Sequence, residues 1–218
     1  MAIRAYSENW LEPAMTALGD AFDYAVNDCG IGADDFLAYF TASPLCPAFE
    51  RGEPRVVAGM SGVEIAREAV GAALGCEPDA PSREAFSRSP EFWCGWVLAY
   101  CQWRTGRRFG ELRDAFPCRE IIALYPALHE AGPDAFVDRA AERLRAAFPG
   151  TRLARLRTAA RLSQQALAEK AGVGLRSIQM YEQRRKDINR AEAATLRALS
   201  LALGCGMEDL MEPCDDSP

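Results

Sequence analysis

Arg176 and Gln179 stand three residues apart in the segment Leu175-Arg176-Ser177-Ile178-Gln179-Met180-Tyr181-Glu182-Gln183. On a helix, that spacing puts both side chains on one face, one turn apart. An arginine fork can donate two parallel bonds to guanine O6 and N7, and a glutamine amide can pair with adenine or reach a neighbouring base. Leu175 offers the apolar contact that a thymine methyl accepts, and Met180 lies beside it on the exposed start of the segment. The three cations that follow, Arg184, Arg185 and Lys186, suit phosphate oxygens. The chemistry on offer is recognition of base edges, with a cationic flank to hold the backbone.

Such side chains work only if a second element holds their helix. Leu162, Leu167, Val173 and Ile178 are apolar at positions that can share one small core. Ser163 can cap a helix beginning at Gln164, because its hydroxyl accepts a bond from a free backbone N–H. Gly172 falls where that helix must end in a left-handed residue, and glycine has no Cβ to clash there. Ala168 and Ala171 are small enough for two helices to cross closely. A short helix, a glycine turn and a second helix in this spacing form a helix-turn-helix suited to the major groove of DNA.

The stretch resembles the bacterial and phage repressor family known as Xre- or Cro-like. The matching residues are Leu162-Ser163-Gln164, Leu167-Ala168, Gly172-Val173, Ile178 and Tyr181-Glu182. The pattern continues through Arg185-Lys186-Asp187-Ile188-Asn189, Leu196, Leu199, Ala202-Leu203-Gly204-Cys205 and Met207-Glu208-Asp209-Leu210. It covers roughly residues 150–212. The resemblance implies five helices, placed near 151–161, 164–171, 175–183, 191–203 and 207–211. Asn189 with Glu192 reads as a capping-box-like start for the fourth. The resemblance further implies that Arg157 pairs with Glu182 as a structural link, and that Gln164 holds a phosphate. Two positions depart from the family. Gly174 stands where many relatives carry Ser or Thr, which removes a side-chain cap from the recognition helix. Arg184 stands where many carry Gly, so either the following turn differs or a phosphate contact has been gained.

The chain as a whole carries a formal charge of −6, which by itself argues against a nucleic-acid partner. Its distribution argues the reverse. Residues 151–190 hold ten Lys/Arg against three acidic side chains, a net of +7, whereas the first 150 residues hold fourteen against twenty-two, a net of −8. Asymmetry of this kind marks one nucleic-acid-binding end and one end with another task. The length of 218 residues allows one or two domains. An apolar content of 49% sets the chain apart from disordered sequences, except at residues 213–218, expected to be a disordered tail.

The first 148 residues read as a second, acidic, all-helical domain, making the fold class all-α: a helical bundle followed by a five-helix repressor-like domain. Apolar residues recur every three to four, and β-branched alternation is nearly absent. Helices are predicted near 11–27, 33–41, 62–75, 90–104, 119–131 and 134–147. Ser61 with Glu64 forms a capping box, and Ser89 precedes Pro90 as a cap followed by proline. Pro44, Pro47 and Pro54 are expected to make 43–58 a loop. The helix 90–104 is apolar almost all round and so belongs at the centre of a bundle, an aromatic ligand pocket being the alternative. Gly59-Met60-Ser61-Gly62 reads as a connector, or alternatively as an anion site built from free N–H groups. This half is similar to uncharacterised N-terminal regions of other bacterial helix-turn-helix proteins, some of which sit near small toxin-like genes.

Other function classes are disfavoured. The eight cysteines contain no C-x-x-C pair and His129 is the single histidine, so a structural zinc, or any other cofactor, is not expected. His129 has no nucleophile-elbow motif to serve, and no catalytic residue is assigned. The first ten residues lack the apolar core of a signal peptide, and the longest apolar stretch, Phe92 to Cys101, is too short to span a bilayer. A cytoplasmic location with reduced thiols, and no membrane partner, is therefore expected. The expected partners are double-stranded DNA and a second copy of the chain in a homodimer. The leading expectation is a sequence-specific regulator. Its rivals are an antitoxin-like or adaptor protein whose first half binds a protein partner, and an enzyme with a DNA-binding tail.

Overall fold

The computed structural model describes residues 4–83 and 88–212, and these are helical with no strand among them. The expected tail, 213–218, lies outside the described residues. The chain divides after Ala147 into two compact units.

The first unit contains α1 (Leu11–Asp23), α2 (Ala33–Ala42), α3 (Leu45–Glu50), α4 (Pro54–Val57), α5 (Gly62–Leu74), α6 (Pro90–Thr105), α7 (Phe109–Ala115), α8 (Cys118–Leu128) and α9 (Pro133–Ala147). A π-type turn, Tyr24–Asp28, extends α1. Helix α6 lies at the centre, packed on α1, α8 and α9. Its Trp93 and Trp103 are buried against protein rings, Trp93 edge-on to Tyr125 and Phe136 and Trp103 beside Tyr100. Around Trp93 and Trp103 the helix is core, filled by its neighbours. The close crossing of α1 and α6 requires Gly95. A Cβ there would come 2.8 Å from Phe22 Cδ2 and closer still to the Leu18 carbonyl oxygen.

Two helix starts follow directly from their residues. Ser61 Oγ accepts from the Glu64 N–H at 3.3 Å, while the Glu64 carboxylate takes the Ser61 N–H at 2.8 Å. The protein's own carboxylate thus fills the place that the anion reading of Gly59-Met60-Ser61-Gly62 reserved for a ligand. Ser89 Oγ accepts from the Phe92 N–H at 2.9 Å, with Pro90 opening the helix.

The expected loop 43–58 instead holds α3 and α4. Pro44 caps α3, Pro47 falls in its first turn and Pro54 opens α4. At these places the missing N–H has no intrahelical partner to lose, so proline starts a helix there rather than breaking one. Helix α7 also lies outside the predicted helices. Its first N–H, on Phe109, donates at 2.7 Å to the Glu50 carboxylate. Burial pushes the Glu50 carboxyl above its usual range, while the Phe109 N–H and the nearby Arg108 favour its charge.

The second unit contains α10 (Arg152–Ala159), α11 (Gln164–Ala171), α12 (Leu175–Glu182), a 3-10 turn (Ile188–Arg190) and α13 (Ala193–Leu203). Leu153, Leu167, Ile178, Leu199 and Leu210 are fully buried in one cluster, with Tyr181 and Ile188 beside them. Each such apolar side chain stabilises the unit by about 1.5–3 kcal/mol relative to exposure. Two expectations are corrected here. Residues 207–211 form no α-helix: Asp209, Leu210 and Met211 make i→i+3 turns only, and the Asp209 carboxylate turns back to take the Gly206 N–H at 2.9 Å. Asn189 does not open the fourth helix either. Glu192 stands at that cap with no side-chain bond, and the Asn189 amide pairs both ways with the Glu212 backbone, at 2.8 and 3.0 Å.

Candidate nucleic-acid interface

The turn between α11 and α12 is built from three residues. Gly172 adopts φ +64°, and the Val173 N–H returns to the Ala168 carbonyl at 3.1 Å, closing the end of α11. Ser163 Oγ caps the other end by accepting from the Ala166 N–H at 3.0 Å. Gly174 begins α12 without a side-chain cap, and its carbonyl accepts from the Ser177 N–H at 2.9 Å.

Helix α12 has two distinct faces. Ile178 and Tyr181 point inward, at 0% and 3% exposure. Arg176 is exposed on the opposite side, with Gln179 and Met180 half-buried beside it. Leu175 is partly withdrawn, packing against the core cluster with Val173 and Leu162, so it divides its surface between the interior and the outer face.

The pose of α12 is fixed by an ionic cluster. Arg157 on α10 donates Nε to Glu182 Oε1 at 2.7 Å and Nη2 to Glu182 Oε2 at 3.0 Å. Its Nη1 donates to the Leu162 carbonyl at 2.8 Å. Gln164, first residue of α11, gives an amide hydrogen to Glu182 Oε2 at 2.7 Å. Burial raises the Glu182 pKa, but the bonds from Arg157 and Gln164 outweigh it and hold the carboxyl below its usual range. The bond to Glu182 holds the Arg157 guanidinium above its own. Gln164 keeps one amide hydrogen for an outside acceptor, because the NH2 group carries two.

Beyond α12 the three cations differ. Arg184 has a left-handed backbone, φ +55°, and its Nη2 donates to the Gly150 carbonyl at 3.1 Å and lies 3.4 Å from the Glu212 carboxylate. The turn therefore keeps the form that glycine gives it, and the guanidinium is tied to the unit's own edge. Arg185 is exposed. Lys186 is exposed too, with its ammonium 5.1 Å from the Tyr181 ring centroid. Arg161, between α10 and α11, is exposed and left-handed at φ +56°. Sequence reasoning counted Arg161 only as one charge among ten, since nothing in its spacing marks its backbone. A left-handed residue with a Cβ costs about 1–2 kcal/mol.

Among the described residues no His/Cys/Asp/Glu cluster has the makings of a metal site, and no helix is long and apolar enough to cross a membrane. The seven described cysteines are all free. No curated protein and no solved structure matches the chain. The family model described as Helix-turn-helix matches residues 153–210, the span from the buried Leu153 of α10 to the buried Leu210. With the capped α11, the glycine turn and the two-faced α12 inside that span, residues 153–210 are a helix-turn-helix domain of the Xre/Cro-like type, the fold of DNA-binding transcription regulators.

Proposed function

We propose that the chain is a sequence-specific transcriptional repressor that binds a short operator as a dimer. The observation that carries this reading is the division of α12: its inner face is sealed in the core while Arg176, near its start, stands free on the outer one. Residues at the start of a recognition helix are those that reach base edges. Arg176 reads guanine, Gln179 reads a neighbouring base, and the outer surfaces of Leu175 and Met180 touch thymine methyls. Arg185 and Lys186 hold phosphates alongside α12. Arg184 and Gln164 add phosphate contacts with the donors that Glu212, Gly150 and Glu182 leave unused. The Arg157–Glu182 pair holds the geometry and reads nothing.

A dimer follows from scale. A single module of this kind covers about 600–1,000 Å² of surface, too little for strong selectivity, while two recognition helices roughly 34 Å apart fit one face of a duplex. The first unit then serves dimerisation, sensing or partner binding. Its net charge of −8 favours one second reading, an adaptor or antitoxin-like protein whose first half covers a basic protein partner. Genome-wide recovery of bound DNA tests the main reading. It should return a short site with two half-sites in inverted repeat, upstream of genes whose transcription rises when the protein is absent. Co-purification of a small basic protein with residues intact at the site would favour the second.

A further inference from the structure

We infer that Arg161 is a phosphate-binding residue of the DNA interface, kept in a backbone conformation that favours glycine for the sake of its guanidinium. This rests on the DNA-binding reading above. Among the described residues only two non-glycine residues have positive φ, Arg161 and Arg184; every other left-handed residue is a glycine. The chain therefore places glycine wherever the backbone alone decides, and arginine at two places where it does not. For Arg184 the compensation lies within the unit, in its bonds to the Gly150 carbonyl and Glu212. For Arg161 there is none: its side chain is exposed and has no hydrogen bond or ion pair among the described residues.

The backbone around Arg161 is held firmly. The Arg161 N–H returns to the Thr158 carbonyl at 2.9 Å. Both polar backbone groups of Leu162 are taken by Arg157, the N–H by its carbonyl at 3.0 Å and the carbonyl by its Nη1 at 2.8 Å. Arg157 is in turn clamped to Glu182 at the end of α12. Arg161 is thus a cation on a rigid corner, two residues before the Ser163 cap of α11, the helix that crosses the DNA backbone in a helix-turn-helix. A strained residue fixed by its surroundings and lacking an internal partner points to an external one. Here the ligand is an anion of the duplex backbone.

The test compares the full chain with its Arg161→Gly and Arg161→Lys variants, by anisotropy titration of a labelled mixed-sequence duplex of about 30 base pairs at several salt concentrations, where phosphate contacts dominate binding. Arg161→Gly should weaken binding by about three- to tenfold and reduce the salt slope by about 0.9, the value of one phosphate. Its Tm should stay level or rise, because glycine relieves the backbone. Arg161→Lys should keep the slope. Wild-type affinity and slope in Arg161→Gly would overturn the inference while leaving the DNA-binding reading intact. A lowered Tm accompanying the lost affinity would overturn it as well, by making the residue structural. No duplex affinity in the unaltered chain would instead remove the DNA-binding reading itself.

Discussion

Arg157 and Glu182 meet as fork and carboxylate, with two parallel bonds of 2.7 and 3.0 Å between α10 and the last residue of α12. Their side chains are 17% and 7% exposed, and Gln164 completes the set from the first position of α11. Three helices are thereby fixed at one point. Truncating one partner leaves the other's charge poorly solvated. Glu182→Ala or Arg157→Ala should therefore cost about 2–4 kcal/mol, whereas the apolar double substitution Arg157→Met with Glu182→Leu should cost much less. All four tryptophans (Trp10, Trp93, Trp96 and Trp103) belong to the first unit, so indole fluorescence follows that unit alone. Amide exchange of α11 and α12 is the measurement that reads the second.

The same pair sets a pH dependence. The folded state holds the Glu182 pKa below its unfolded value, near 4.3 for a free glutamate. Its contribution to stability is therefore complete above the unfolded value and is lost as pH falls through the depressed folded one. Urea melts of the second unit between about pH 6 and 3 should show this loss, and Glu182→Gln should flatten the profile over that window. An unchanged profile in Glu182→Gln would place the acid sensitivity elsewhere.

Glu212 closes the other edge of the second unit. Its Oε1 accepts the Arg152 N–H at 2.6 Å, its Oε2 faces Arg184 at 3.4 Å, and its backbone pairs with the Asn189 amide. The side chain is 13% exposed, so Glu212→Ala should cost about 1–3 kcal/mol by orphaning the Arg152 N–H at the start of α10. Faster amide exchange at Arg152 and Asn189, with Leu167 and Ile178 less affected, is the expected pattern.

Gly95 reports on the first unit. An added Cβ meets the Leu18 carbonyl and the Phe22 ring, which belong to the helix packed most intimately on α6. Gly95→Ala should destabilise this unit by about 1–3 kcal/mol, and the midpoint seen by tryptophan fluorescence should fall while the exchange rates of α12 stay unchanged.

What could be read from the sequence was what local chemistry decides. Ser61 with Glu64, Ser89 before Pro90, and Ser163 with Gly172 each fix a helix end through one or two neighbouring bonds, and these ends stand where their residues place them. The all-apolar helix around Trp93 lies at the centre, since it has no face to give to water. Short elements escaped, because α3, α4 and α7 run for too few turns to show a period and two of them begin at prolines. At the site, sequence could name Gln164 and Arg184 as donors but not show that Glu182 and Glu212 already engage them. It could not mark Arg161 either, since φ depends on how the chain leaves one helix and enters the next.

On the proposed reading, α12 enters the major groove and Arg176 reads a base there. The direct measurement is titration of the recovered operator and of a scrambled duplex with the full chain, Arg176→Ala and Arg185→Ala, across a range of salt. Arg176→Ala should cost about 1–3 kcal/mol on the operator alone, and Arg185→Ala should weaken both duplexes and lower the salt slope by about 0.9. Unchanged operator preference in Arg176→Ala, or no duplex affinity in the unaltered chain at low salt, would contradict that reading.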